Sequence, residues 1–257
     1  MVVSNITAMT ENWEDDLQKY LQMGLYEPAL EMVEELIKKE KNRRAMIYKA
    51  YILRSMERDD EALEIVDTLL KEEEDEDLLL LKGMLLFDNE DYEEAAKYFR
   101  RVTEMNPENL DAWYNLASCY DALEKYSISE KYYRKLIEIN PQDAEAWNNL
   151  SVTLLFQDKY EEALEAAEKA IQLDEEYDNA WYNKGLALHY LERYREAIKA
   201  FDKCIKLSDD PDAWYAKGIS YMFLGQKEEA RKYLKEALKR NPDDEEIREA
   251  LENLENE

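Results

Sequence analysis

The 257 residues carry 61 Asp and Glu against 34 Lys and Arg, a net charge of −27, with only five Gly and five Pro. That field repels a phosphate backbone, which argues against a nucleic-acid partner, and charged partners should be basic. With 37% charged and 46% hydrophobic residues, the composition fits long polar helices in a stack of small units better than one large core or a disordered chain.

Met1 to Met9 form a leader without a basic region or an apolar run long enough for a signal peptide, and no later stretch approaches a membrane span. Cys119 and Cys204 are far apart and match no metal spacing, so a reducing compartment without disulfides is expected. The expectation is a soluble cytoplasmic protein with no membrane partner.

From there the chain falls into seven units, 10-42, 43-75, 76-109, 110-143, 144-177, 178-210 and 211-244, followed by a capping helix over 245-257. The frame is set by Trp113, Trp147, Trp181 and Trp214, which follow one another at steps of 34, 34 and 33 residues. Each unit holds two apolar-periodic segments joined by a tight turn, which predicts two helices, A and B.

The first unit places Glu14, Asp15 and Gln18 on helix A, a polar outer face suited to an end repeat. The second lacks the tryptophan and has Asp59 where Tyr26, Tyr92, Tyr126, Tyr160 and Tyr194 stand in others. The acidic run Glu72 to Asp77 lacks the glycine and spaced oxygens of a calcium loop and reads as a solvated turn ending at a helix N-terminus. In the fourth unit helix A is predicted over about Asp111–Leu123 and helix B over about Tyr126–Ile139, closed by Asn140-Pro141. Pro107 and Pro242 close the third and seventh units in the same way. Beyond Asp243-Asp244, Ile247, Leu251 and Leu254 make the single apolar stripe of a solubilising cap.

Three places carry the register. The fourth holds Trp13, Met46, Leu79, Trp113, Trp147, Trp181 and Trp214, always large. The eighth holds Leu17, Ala50, Gly83, Ala117, Ser151, Gly185 and Gly218, mostly small, and the twentieth holds Ala29, Ala62, Ala95, Ser129, Ala163, Ala197 and Ala230, small throughout. Small residues let helices A and B approach, and large ones fill the space beside the crossing. Residues 10 to 244 thereby resemble the tetratricopeptide repeat family. The resemblance implies an all-α fold, a right-handed superhelix of seven helix-turn-helix repeats, and binding of a protein or peptide in a concave groove without chemistry of its own.

Places 2, 5, 6, 9, 12 and 13 of helix A fall opposite the packed arc and are not polar. They include Tyr48, Tyr51, Met84, Phe87, Tyr114, Asn148, Tyr182, His189 and Tyr215, together with Phe156, Tyr190 and Phe223. Two readings stay open: packing against helix A of the next repeat, or the lining of a groove that takes a basic or amphipathic segment. Asn115, Asn149 and Asn183 all occupy the sixth place, and side-chain amides in a row can pair with the backbone of an extended peptide. Rows of this kind are known in the family as peptide clamps, although asparagine at this place is also explained by local hydrogen bonding. The lysines with which chaperone-docking repeats of the family hold a terminal carboxylate have no counterpart at the fifth places, and Arg44 is left as a lone basic residue at a second place.

His189 is the only histidine, so no histidine metal site can be built, and no phosphate-binding glycine loop occurs. No cofactor, metal or catalytic residue is expected. The rival reading is self-association, with the groove filled by Met1 to Met9 or by another copy.

Overall fold

The computed structural model describes residues 13–40 and 42–256, so the leader Met1 to Met9 lies outside the described residues. Among them there are fifteen α-helices and no strand. Seven pairs precede a single last helix: α1 (Trp13–Gln22) and α2 (Tyr26–Glu40), α3 (Arg43–Ser55) and α4 (Asp59–Glu72), α5 (Glu76–Asp88) and α6 (Tyr92–Met105), α7 (Leu110–Ala122) and α8 (Tyr126–Ile139). They continue with α9 (Ala144–Leu155) and α10 (Tyr160–Leu173), α11 (Asp178–Tyr190) and α12 (Tyr194–Ser208), α13 (Pro211–Phe223) and α14 (Lys227–Arg240), then α15 (Glu245–Asn256).

Local chemistry sets the boundaries. Asp or Asn precedes several first helices and satisfies their free N–H groups: Asn42 accepts from Ala45 N, Asn109 from Ala112 N, Asp143 from Ala146 N and Asp244 from Ile247 N. Within the acidic run, Asp75 caps α5 by accepting from Asp77 N and Leu78 N. Each first helix ends on a left-handed residue whose N–H reaches back three positions while the next N–H reaches back five, as in Glu124 N to Asp121 O and Lys125 N to Tyr120 O, both 2.8 Å. This Schellman closure turns the chain sharply into the second helix.

The helix pairs cross where the side chains are smallest. Ala29, Ala62, Ala95, Ser129, Ala163, Ala197 and Ala230 are all fully buried. A Cβ added to Gly185 would stand against the Phe201 ring, so only glycine admits that ring at the crossing. Ser151 adds a bond across its own crossing, donating to Ala163 O at 2.8 Å. The indoles of Trp113, Trp147 and Trp181 donate to backbone carbonyls six residues earlier at 2.8, 3.1 and 2.9 Å, tying each first helix to the loop that delivers it. The tryptophans therefore both fill space and fix the turn between repeats.

Two compact units divide within α7, one ending at Asn115 and the other beginning at Leu116. In the first, Leu17, Val33, Leu53, Val66, Leu81 and Leu85 belong to one buried cluster. In the second, Leu234 and Ala237 of α14 meet Ile247, Ala250 and Leu251 of α15, so the last helix covers the final repeat with its apolar stripe. No helix among the described residues is long and apolar enough to cross a membrane.

Candidate partner-binding face

The first helices carry every residue that the sequence singles out for binding, and the two units treat them differently. In the first unit Tyr48 packs edge-on against Trp13 at 5.6 Å, and Phe87 packs edge-on against Tyr92 at 5.1 Å. Tyr51, Met84 and Tyr114 are half-buried. Burial and the neighbouring Asp77 push the Tyr51 hydroxyl up to about 12. Asn115 is half-buried and donates to Asp111 O of its own helix at 2.7 Å. Arg44, the lone basic residue of a second place, is held by Glu14 at 3.0 Å.

The asparagines of the second unit do not form a row of equivalent groups. Asn183 is buried, 6% exposed, and donates to Asn148 Oδ1 at 2.8 Å; Asn148 is itself buried and lies 3.4 Å from Asn149 Oδ1. Because α9 and α11 pack directly, a sixth-place amide on one meets a fifth-place amide on the other, and the pair is sealed from any peptide. Asn183 and Asn148 therefore act in packing between repeats, whereas Asn149 stays half-buried at the face.

His189 also changes place. Its Nδ1 lies 2.9 Å from Ser220 Oγ of α13, and its ring is packed edge-on by Tyr190, Tyr194 and Phe223. Burial holds its pKa below the usual histidine value, so it is a packed neutral ring at the turn end of the helices. Phe156, Tyr190 and Phe223 go to that same end rather than to the face.

What the face of the second unit does offer is tyrosine beside carboxylate. Tyr182 is half-buried, tilted against Phe201 at 5.9 Å; burial pushes its hydroxyl up, and Asp212 and Asp210 push it further. Tyr215 donates to Glu246 Oε1 at 2.8 Å, and its hydroxyl is raised by burial and by that bond. Asp212 is raised by burial and by Asp210, Asp244 and Glu246, four carboxylates crowding one end of α13 and α15. The acids open their helices as caps and first-turn residues, which is why the sequence reads them only as helix starts.

Elsewhere in the second unit, a cavity of about 370 Å³ opens between the fourth and fifth repeats, lined in part by Arg134, Trp147, Leu150, Leu154 and Glu162. At other joints a lysine at the seventh place of a first helix reaches an acid of the preceding second helix: Lys49 to Glu34 at 2.7 Å, Lys184 to Glu168 at 2.8 Å, and Lys82 to Asp67 and Lys217 to Asp202. At the cavity those places are Leu150 and Arg134, and Arg134 turns to Glu130 and Glu162. None of the expected face residues lines it.

The two cysteines are free and buried, and burial pushes Cys119 up to about 12 and Cys204 up to about 11. Neither thiol is poised as a nucleophile. Among the described residues no group of three or more His, Cys, Asp or Glu is placed to hold a metal ion.

The family model described as the cilia and flagella-associated protein 70 C-terminal domain matches residues 25–257. No curated protein matches the chain. Among solved structures, the chain is similar to YrrB, described as a TPR protein with an unusual peptide-binding site, at 20% identity over 73% of this chain and 96% of that one, with a TM-score of 0.60. It is similar to the C-terminal part of a TPR repeat-containing protein from Cytophaga hutchinsonii at 14% identity, over 92% and 98% of the two chains, with a TM-score of 0.73. MamA from Desulfovibrio magneticus aligns at 21% identity over 65% of this chain and 95% of its own, with a TM-score of 0.61. At these identities the likeness is one of fold.

Proposed function

The chain belongs to the family of the cilia and flagella-associated protein 70 C-terminal domain, and so to the tetratricopeptide repeats, and on that premise we propose that it is a non-enzymatic scaffold whose first-helix face takes a basic, amphipathic protein segment. The observation that carries this reading is the cluster of Asp210, Asp212, Asp244 and Glu246 around Tyr182 and Tyr215. Burial and repulsion from Asp210, Asp244 and Glu246 raise Asp212, and an incoming lysine or arginine supplies the counter-charge that relieves it. The half-buried tyrosines give the apolar part of such a segment an amphipathic surface to lie on. A net charge of −27 adds long-range attraction for a basic partner and repels a second copy of the chain.

Titration of an amphipathic lysine-leucine helix peptide tests this. The wild type should bind it with strong salt dependence, and Asp212→Asn with Glu246→Gln should weaken binding about tenfold, the loss expected from two charge contacts near a surface. Unchanged affinity in that variant removes the face from the reading. Light scattering that shows a concentration-dependent dimer gives the face to another copy.

A further inference from the structure

In the second unit, the ring that closes each first helix stacks on the tyrosine that opens the second helix of the repeat before it. Phe156 lies on Tyr126 with centroids 4.8 Å apart and planes 5° apart, Tyr190 on Tyr160 at 4.9 Å and 16°, and Phe223 on Tyr194 at 5.3 Å and 21°. The stacks leave much of each closing ring to water, since Phe156 is 63%, Tyr190 53% and Phe223 63% exposed. The crossings and joints are already packed by Phe201, Leu234 and the buried alanines, so a regular row of open aromatic rings has no packing duty that requires its exposure.

The same edge is acidic. The left-handed residue of the turn is Gly24 or Gly225 in the end repeats and an acid in the five between, Glu57, Glu90, Glu124, Asp158 and Glu192; the last three, at φ 55°, 57° and 60°, belong to the repeats whose opening tyrosines carry the stacks. All three acids are exposed and none is in an ion pair among the described residues. Asp158 accepts from the Tyr160 hydroxyl at 2.6 Å, which places a carboxylate at the rim of the middle stack. The neighbouring cations Lys159 and Arg193 are turned away to Glu130 and Glu196.

We infer that this row of stacked rings is a second docking edge, separate from the first-helix face, and that its occupant is an extended arginine-containing segment of a partner protein. Open ring faces alone would accept any apolar segment, and the carboxylates beside them select a cation. A guanidinium is planar and weakly hydrated and stacks on an aromatic face more readily than an ammonium, so arginine fits the edge better than lysine. Packed first helices stand about 8–10 Å apart, and a chain extended as a polyproline II helix rises about 3.1 Å per residue with about three residues per turn, so arginines at every third residue share one face and match the successive stacks.

The probe is a peptide with three arginines, each separated by two serines, titrated against the full chain at low salt beside its lysine and glutamate counterparts. Three variants are compared: Phe156→Ala with Tyr190→Ala and Phe223→Ala; Glu124→Gly with Asp158→Gly and Glu192→Gly; and Asp212→Asn with Glu246→Gln. Glycine adopts the same left-handed conformation at Gly24 and Gly225, so the turn keeps its backbone in the glycine variant, and a thermal melt of each variant confirms that it is folded at the binding temperature. The arginine peptide should bind several-fold tighter than the lysine peptide, and the ring and glycine variants should each lose about tenfold in affinity while the third variant keeps it. Equal affinity for the two cationic peptides, binding that survives in the glycine variant, or loss confined to the third variant overturns the inference. So does a dimer that disappears in the ring variant, which assigns the edge to a second copy. Failure here with retained lysine-leucine binding leaves the first-helix face intact, and the reverse result separates the two surfaces equally well.

Discussion

Asn183 donates its side-chain amide to Asn148 at 2.8 Å, and both side chains are buried between α9 and α11. Removing one partner strands the other away from water. Asn183→Ala should therefore lower unfolding free energy by about 1–3 kcal/mol, the range for a buried group left unsatisfied. Asn115→Ala, at a half-buried site bonded only to its own helix, should change it by about 0.5 kcal/mol or less. Urea unfolding of the two variants checks this, and equal effects would mean that the sixth-place asparagines are alike after all.

Gly185→Ala drives a methyl into the Phe201 ring, which is fully buried and cannot swing clear. Overpacking at such a site costs about 1–3 kcal/mol. Gly185→Ala with Phe201→Leu should recover part of that loss, because the shorter side chain vacates the contact. A double variant no more stable than Gly185→Ala would place the cost in the backbone instead.

The repeat frame was legible because it is written in side-chain size at places 4, 8 and 20, where one helix crosses its own partner within a unit. The C-terminal cap was legible for the same reason, as Ile247, Leu251 and Leu254 share one helical stripe and are buried. What the sequence hides is the rotation from one repeat to the next. That rotation decides that Asn183 meets Asn148, and that Phe156, Tyr190 and Phe223 stack on tyrosines 29 to 30 residues earlier instead of lining the face. It also decides the lysine pairs between repeats, such as Lys49 with Glu34, which are lost to the eye among so many surface charges. The carboxylates beside Tyr182 and Tyr215 were visible as helix starts, but their convergence depends on the same rotation.

Glu192 holds a left-handed conformation, φ 60°, that glycine adopts at the same turn in the end repeats. Such a conformation costs a side-chain-bearing residue about 1 kcal/mol. Glu192→Gly should raise stability by up to that amount, offset by the greater freedom glycine brings to the unfolded chain. Thermal unfolding of Glu192→Gly and Glu192→Ala separates the terms, since alanine removes the charge and keeps the strain. If both variants gain equally, charge repulsion rather than the backbone sets the effect.

Glu130 gathers Lys159 at 2.7 Å, Arg134 at 2.8 Å and Gln157 at 3.0 Å. Burial pushes its carboxyl up, but the bonds from Lys159, Arg134 and Gln157 outweigh it and hold the pKa at about 2, below the ordinary 4.5. A folded-state pKa below the unfolded one gives stability that is present above about pH 4.5 and drains away as pH falls towards 2. Arg134 and Lys159 are partly open to solvent, so screening reduces the contribution to about 1–2 kcal/mol. At pH 7 Glu130→Gln should be less stable than the wild type by that margin, and the difference should shrink through the window from about 4.5 to 2. Denaturant unfolding of both proteins at a series of pH values checks this. A gap that stays constant across the window would mean that the three partners hold Glu130 by shape rather than by charge.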